Sequence, residues 1–157
     1  MNQTYSKDST QAKQVLNTTI QADKETVFKL LATSEGISSW FPQLSLDDDQ
    51  DASAVLFDMG DGTFEKMALL DFTTNEEIAF EWTSGKVDFK LEDTDNGTSL
   101  TLTETLPLDF KALPQDFTGW YVQMQNVKSV AETGESKKID KEEIKAVRKE
   151  IEEKLAK

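Results

Sequence analysis

Residues 117–130 read FTGWYVQMQNVKSV, from Phe117 to Val130. Phe117, Trp120, Met124 and Val127, with Ala131 just beyond, recur at three- and four-residue spacings and so share one face of a helix. A stripe of four turns spans roughly 25 to 30 Å at 1.5 Å per residue. Gly119 stands inside the pattern, although glycine costs a helix interior roughly 1 kcal/mol relative to alanine. So long an apolar face must cover something, and the glycine predicts a point where the helix backbone comes close to it.

What it covers is read from the segments before it. SAVLFDMG, GTFEKMALLDF, EEIAFEWTS, KVDFKLEDT and TSLTLTETLPL have a period near two and read as five consecutive strands separated by turns. Asn96-Gly97 is the strongest hairpin signal, predicting a type I′ turn with positive φ at both positions. Ile78, Phe80 and Trp82 fall on one strand face, as do Val87, Phe89 and Leu91, then Leu100, Leu102 and Leu106. The opposite faces carry Glu, Lys, Asp, Ser and Thr, so the sheet is antiparallel, wet on one side and covered on the other. Upstream, Thr, Val and Ile favour a strand from about Lys13 to Gln21. A helix follows to about Thr33, capped by Asp23; a short one, capped by Ser34, ends at Pro42.

The 157 residues suffice for one domain with a real core, and 37% hydrophobic with 30% charged residues fits a globular chain. The absence of Cys and His excludes disulfides, thiolate nucleophiles and the usual zinc ligands and general base. Neither a leader nor a membrane span is indicated, so the expected location is cytoplasmic. Net charge is −13, with −14 carried by residues 1–134, which makes nucleic acid and anionic membranes poor partners.

Four stretches in order, IQADKETVFKLLATSEGISSWF, EEIAFEW, NGTSLTLTETL and FTGWYVQMQNVKSVAETGE, resemble the START-like (SRPBCC) helix-grip superfamily. The likeness is to its branch related to the C-terminal domain of the heat-shock protein 90 ATPase activator, and it covers about residues 14–135. It implies an α+β fold in which a curved antiparallel sheet wraps around the long C-terminal helix, with two short helices after the first strand. Relatives of this kind usually enclose a cavity for lipids, sterols, hormones or polyketides; a minority catalyse cyclisation or hydrolysis, and activator-like members bind a chaperone. Carried over position by position, the resemblance implies a lining of Trp40 and Phe41 at one end, Phe57, Trp82, Phe89 and Leu102 from the sheet, and Phe117, Trp120, Tyr121 and Met124 from the helix. Such walls suit a small, mostly apolar ligand without a cofactor, although the same stripe is also the pattern of a plain filled core.

Glu104 breaks the alternation, being in phase with Leu100, Leu102 and Leu106. Burial raises its pKa unless Tyr121, Trp120 or a ligand pairs with it, and it then orients a polar ligand group or serves as general acid or base. The alternative is a bulge near Pro107 that brings it to solvent. Relatives commonly carry a His or another polar residue near this place, so no His-based chemistry transfers here.

Asp47, Asp49, Asp51 and Asp58 match positions one, three, five and twelve of a calcium loop, but Ala52 replaces the required Gly and a strand follows, so no metal site is expected. Residues 136–157 lie outside the resemblance as a charged helical extension with a stripe of Ile144, Val147, Ile151 and Leu155. Asp140 and Glu143 there form a potential capping box. Residues 1–12 are expected as a flexible N-terminus and 13–135 as the domain, in a monomer or homodimer. Three functions remain open: binding of a small hydrophobic ligand, a chaperone-type protein interaction, and a cyclase or hydrolase using Glu104.

Overall fold

A computed structural model describes residues 1–156. The elements follow in the order β1 (Asn2–Lys7), β2 (Gln11–Ile20), α1 (Lys24–Ala32), α2 (Ser34–Ser38), β3 (Leu44–Leu46), β4 (Ala54–Asp58), β5 (Phe64–Thr73), β6 (Glu77–Trp82), β7 (Gly85–Thr94), β8 (Gly97–Pro107), α3 (Leu113–Thr133) and α4 (Lys141–Leu155). The strands form one sheet in the order β1-β2-β8-β7-β6-β5-β4-β3, antiparallel at every pairing. Period-two patterning put the inner face where it was expected: Ile78, Phe80, Trp82, Val87, Phe89, Leu91, Leu100, Leu102 and Leu106 are all buried.

Helix α3 lies over that face and buries Phe117, Trp120, Met124 and Val127. Pro114 sits in its first turn, where the missing N–H leaves no bond unmade, and Gly134, at φ 82°, caps its end by donating to the Val130 carbonyl. Asp23 starts α1 by accepting from the Thr26 N–H at 2.8 Å. The cap of α2 is Thr33 rather than Ser34: Thr33 Oγ1 accepts from the Gly36 N–H at 3.0 Å.

Three further local expectations need correction. The N-terminal residues expected to be flexible hold strand β1, because Asn2–Lys7 pair in register with Ala12–Asn17 and extend the sheet by one strand before the two short helices. The hairpin between β7 and β8 stands where Asn96-Gly97 placed it, but Thr94 pairs with Gly97, so the loop residues are Asp95 and Asn96. Neither has positive φ, which rules out type I′. Gly97 is required for space instead, since a Cβ there would lie 2.1 Å from the Ile20 carbonyl oxygen. Finally, Gly119 does not approach the sheet: it is exposed, and a Cβ added there would meet nothing within 4 Å.

Helix α4 packs against α3 and β1, burying Val147 and Ile151 into the same hydrophobic core as the sheet. Asp140 caps it through the Glu142 N–H at 3.0 Å. Glu143 leaves the capping box incomplete and accepts instead from the Tyr121 hydroxyl at 3.0 Å, tying α4 to α3. Among the described residues no helix is long and apolar enough to cross a membrane.

Candidate functional site

The space between sheet and α3 is filled mainly by rings. Trp120 is the hub, with centroids 5.0 Å from Trp82, 5.7 Å from Phe41, 5.9 Å from Phe89 and 6.3 Å from Trp40. Phe57 closes on Phe41 and Trp82 at 6.1 and 6.0 Å. These separations are those of direct aromatic packing, mostly edge to face. Trp40 is fixed further by its indole N–H, which donates to the Leu30 carbonyl at 2.6 Å.

A cleft of about 120 Å³ opens at the edge of this cluster, lined by Phe41, Trp82, Asp116, Gly119, Trp120 and Gln123. Ligand pockets for drug-sized molecules run to roughly 300–1,000 Å³, so the cleft has room for one compact group. Of the lining residues expected from sequence, Phe41, Trp82 and Trp120 meet here. Trp40, Phe57 and Phe89 stand behind them as packing, while Leu102, Phe117 and Met124 are buried core. Tyr121 points the other way, toward Glu143 on α4. A larger open depression of about 540 Å³ lies outside the sheet–helix interface, between α1, α2 and the end of α3, lined by Lys29, Leu30, Thr33, Glu35, Gly36, Ser39, Asp49 and Val130.

Behind the cleft lies a buried polar group. Glu104 is fully buried, so β8 carries it inward rather than out at a bulged rim. Gln14 on β2 stands opposite it in the register; its Nε2 donates to Glu104 Oε1 at 3.3 Å and to the Phe117 carbonyl at 3.0 Å. Asp116 completes the group from the first turn of α3. Its Oδ2 accepts from the Trp82 indole N–H at 3.0 Å. Glu104 Oε2 and Asp116 Oδ1 are both buried with no conventional donor. They become each other's partners when one proton lies between the two carboxyls.

Burial above all, then the hydrogen bond to Asp116 and its charge, push the Glu104 pKa well above the carboxylate range, against the opposing bond from Gln14. The shift favours the protonated form of Glu104, whose hydroxyl has Asp116 as its acceptor. Trp120 Nε1 is also buried and has no acceptor among the described residues.

Sequence reading missed Gln14, Asp116 and Gln123. Asp116 had a usable signal: it precedes Trp120 by four residues and Gln123 follows Asp116 by seven, so the three lie along one flank of the helix. Among the described residues no three or more acidic groups converge as a metal site. The acidic loop uses its carboxylates on backbone N–H groups: Asp47 accepts from Ser53 and Ala54, Asp49 from Ser34, and Asp58 from Gly60.

A sheet of antiparallel strands curved around one long helix, with two short helices between β2 and β3, is the helix-grip architecture of START-like proteins. The chain belongs to the family described as Activator of Hsp90 ATPase homolog 1-like protein, which matches residues 21–132. No curated protein matches it. Among solved structures, a conserved protein of unknown function from Enterococcus faecalis superposes with a TM-score of 0.86 at 23% identity, over 98% of this chain and 90% of that one. Aha1 from Colwellia psychrerythraea, solved as a dimer, gives 0.65 at 19% identity over 76% and 96%. CalU16 from Micromonospora echinospora gives 0.69 at 13% over 99% and 95%. At these identities the likeness is one of fold. The family match stops short of β1, β2 and α4, while the Enterococcus structure spans nearly the whole chain.

Proposed function

We propose that this protein is a small-ligand-binding module whose site is the cleft between Phe41, Trp82, Trp120 and Asp116. Gly119 carries the reading. It weakens the interior of α3, is not needed for backbone approach, and has open space where its side chain would be. What its missing side chain leaves open is the wall of the cleft. The ligand is smaller than the sequence suggested, because the aromatic lining packs against itself. The test is native mass spectrometry of the protein isolated from its own organism beside the Gly119→Leu variant. A small molecule retained by the first and absent from the second supports the reading; one retained equally by both rules this cleft out.

A protein-interaction role of the activator kind is the second reading, favoured by exposed Phe64, Leu70 and Phe72 on β5 and by the family to which the chain belongs. Capture of a chaperone that weakens with salt and is lost on Phe64→Ser would support it; capture unchanged by that substitution would count against β5. Catalysis by Glu104 has less support, since both of its oxygens are engaged by Gln14 and Asp116 and it does not line the cleft. Turnover that disappears in Glu104→Gln while ligand affinity stays would revive it.

A further inference from the structure

We propose that the cleft takes a small organic cation of the quaternary-ammonium type, held by the rings of Phe41, Trp82 and Trp120 and by the charge of Asp116. The inference rests on the cleft being a ligand site and adds the chemistry of the ligand. Three rings with centroids 5.0 to 6.0 Å apart border one compact space, and a cation within about 6 Å of a ring centroid is attracted by the ring's quadrupole. A carboxylate lines the same space, which disfavours an anion and gives a neutral group no electrostatic gain. The net charge of −14 on residues 1–134 raises the local concentration of cations as well.

The hydrogen-bonding inventory selects among cations. Asp116 Oδ2 is engaged by the Trp82 N–H at 3.0 Å, and Oδ1 is buried beside Glu104. The Gln123 side-chain Oε1 already accepts from Asn126 Nδ2 at 3.0 Å. A primary ammonium brings three donors, and since each of these acceptors already holds one hydrogen bond it would share them or turn its donors to solvent at the exposed Gly119 side, away from the rings. A methylated ammonium has charge and apolar surface with no N–H to satisfy. Its needs match what the cleft offers, which is ring faces and a fixed negative charge.

The test compares choline with its carbon isostere, in which a quaternary carbon replaces the nitrogen, by titration against the full chain. The readout is tryptophan fluorescence and the indole N–H resonances of Trp82 and Trp120, with sodium chloride matching ionic strength. Choline is expected to saturate and to move both indole signals, the isostere to bind about ten-fold more weakly or worse, and Asp116→Asn to weaken choline about ten-fold. The isostere comparison uses the unmodified protein, so it stands even where Asp116→Asn folds poorly. Equal binding of isostere and choline, or choline binding unaffected by Asp116→Asn in a folded variant, overturns the cation inference and leaves a neutral-ligand cleft. No binding of either also overturns it; a different molecule retained in the native spectrum and lost in Gly119→Leu would then keep the cleft as the site.

Discussion

Substituting Gly119 with alanine should stabilise the protein. The position is the seventh of a 21-residue helix, well inside its hydrogen-bonded interior. A Cβ there meets nothing within 4 Å, so no steric penalty offsets the change and no new packing adds to it. What remains is the backbone difference between glycine and alanine in a helix interior, about 1 kcal/mol. For a chain of 157 residues that corresponds to a rise in Tm of about 2–4 °C. Urea unfolding followed by circular dichroism would show a higher midpoint at unchanged slope. Leucine at the same place should be close to alanine in stability, because its helix propensity is similar and the added atoms enter the open space of the cleft rather than packed core.

The paired result matters more than either number. If glycine is kept to leave the cleft wall open, Gly119→Leu gains stability and loses ligand, a trade expected where a local rule is broken for function. A fall in stability in Gly119→Ala would refute the reasoning at its base, since it would mean that the packing around α3 needs the Cβ to be absent.

Trp82→Phe removes the N–H that holds Asp116 Oδ2 at 3.0 Å and should cost about 1–3 kcal/mol in urea unfolding, with an unchanged midpoint counting against the buried polar group as described. Titration gives a second check. Asp88, on the outer sheet face, has its pKa raised to about 7 by burial first and then by Glu77. The native state thus holds a proton that the unfolded chain has released, and this contribution to stability is full below the ordinary value of 3.8 and lost as pH rises through about 7. Stability relative to Asp88→Asn should therefore decline between about pH 4 and 7; a flat difference would remove the effect. Glu104→Gln should show the same sign, gaining on the wild type as pH rises above the ordinary carboxylate range. Deleting residues 136–157 takes away buried Val147 and Ile151 and the Glu143 partner of Tyr121. With the entropy of ordering α4 set against this, the loss should be about 2–4 kcal/mol, and an unaltered urea midpoint would show α4 to be an appendage.

The parts of this fold legible in the sequence are those governed by a local period. Alternation along β6, β7 and β8 fixed the inner face before any contact was known, and three- and four-residue spacing in α3 picked out Phe117, Trp120, Met124 and Val127. β1 was missed because NQTYSK has almost no apolar alternation: it is an outer strand whose register comes from β2, whose Tyr5 stacks on Phe117 of α3 and which α4 packs against. Glu104 could be assigned to the inner face by phase alone. Its partners could not, because Gln14 is 90 residues away and Asp116 belongs to a helix whose rotation over the sheet is a tertiary quantity.

The same reasoning explains why the lining residues divided as they did. A resemblance supplies which positions face inward, and nearly all of those positions do so here. Whether facing inward means lining a space depends on side-chain volume, and this chain places Trp40, Trp82 and Trp120 with Phe41, Phe57 and Phe89 in one layer. Six large rings consume the volume that smaller residues would leave empty, so the broad cavity inferred from the fold contracts to a cleft. The cleft stays open where the ring layer meets the only helix position without a Cβ along α3, and that meeting depends on the pairing of Gly119 with Phe41 and Trp82 from distant parts of the chain. Composition along the helix flagged the glycine as costly; only the packing of the sheet against that helix turns the cost into an opening beside a carboxylate.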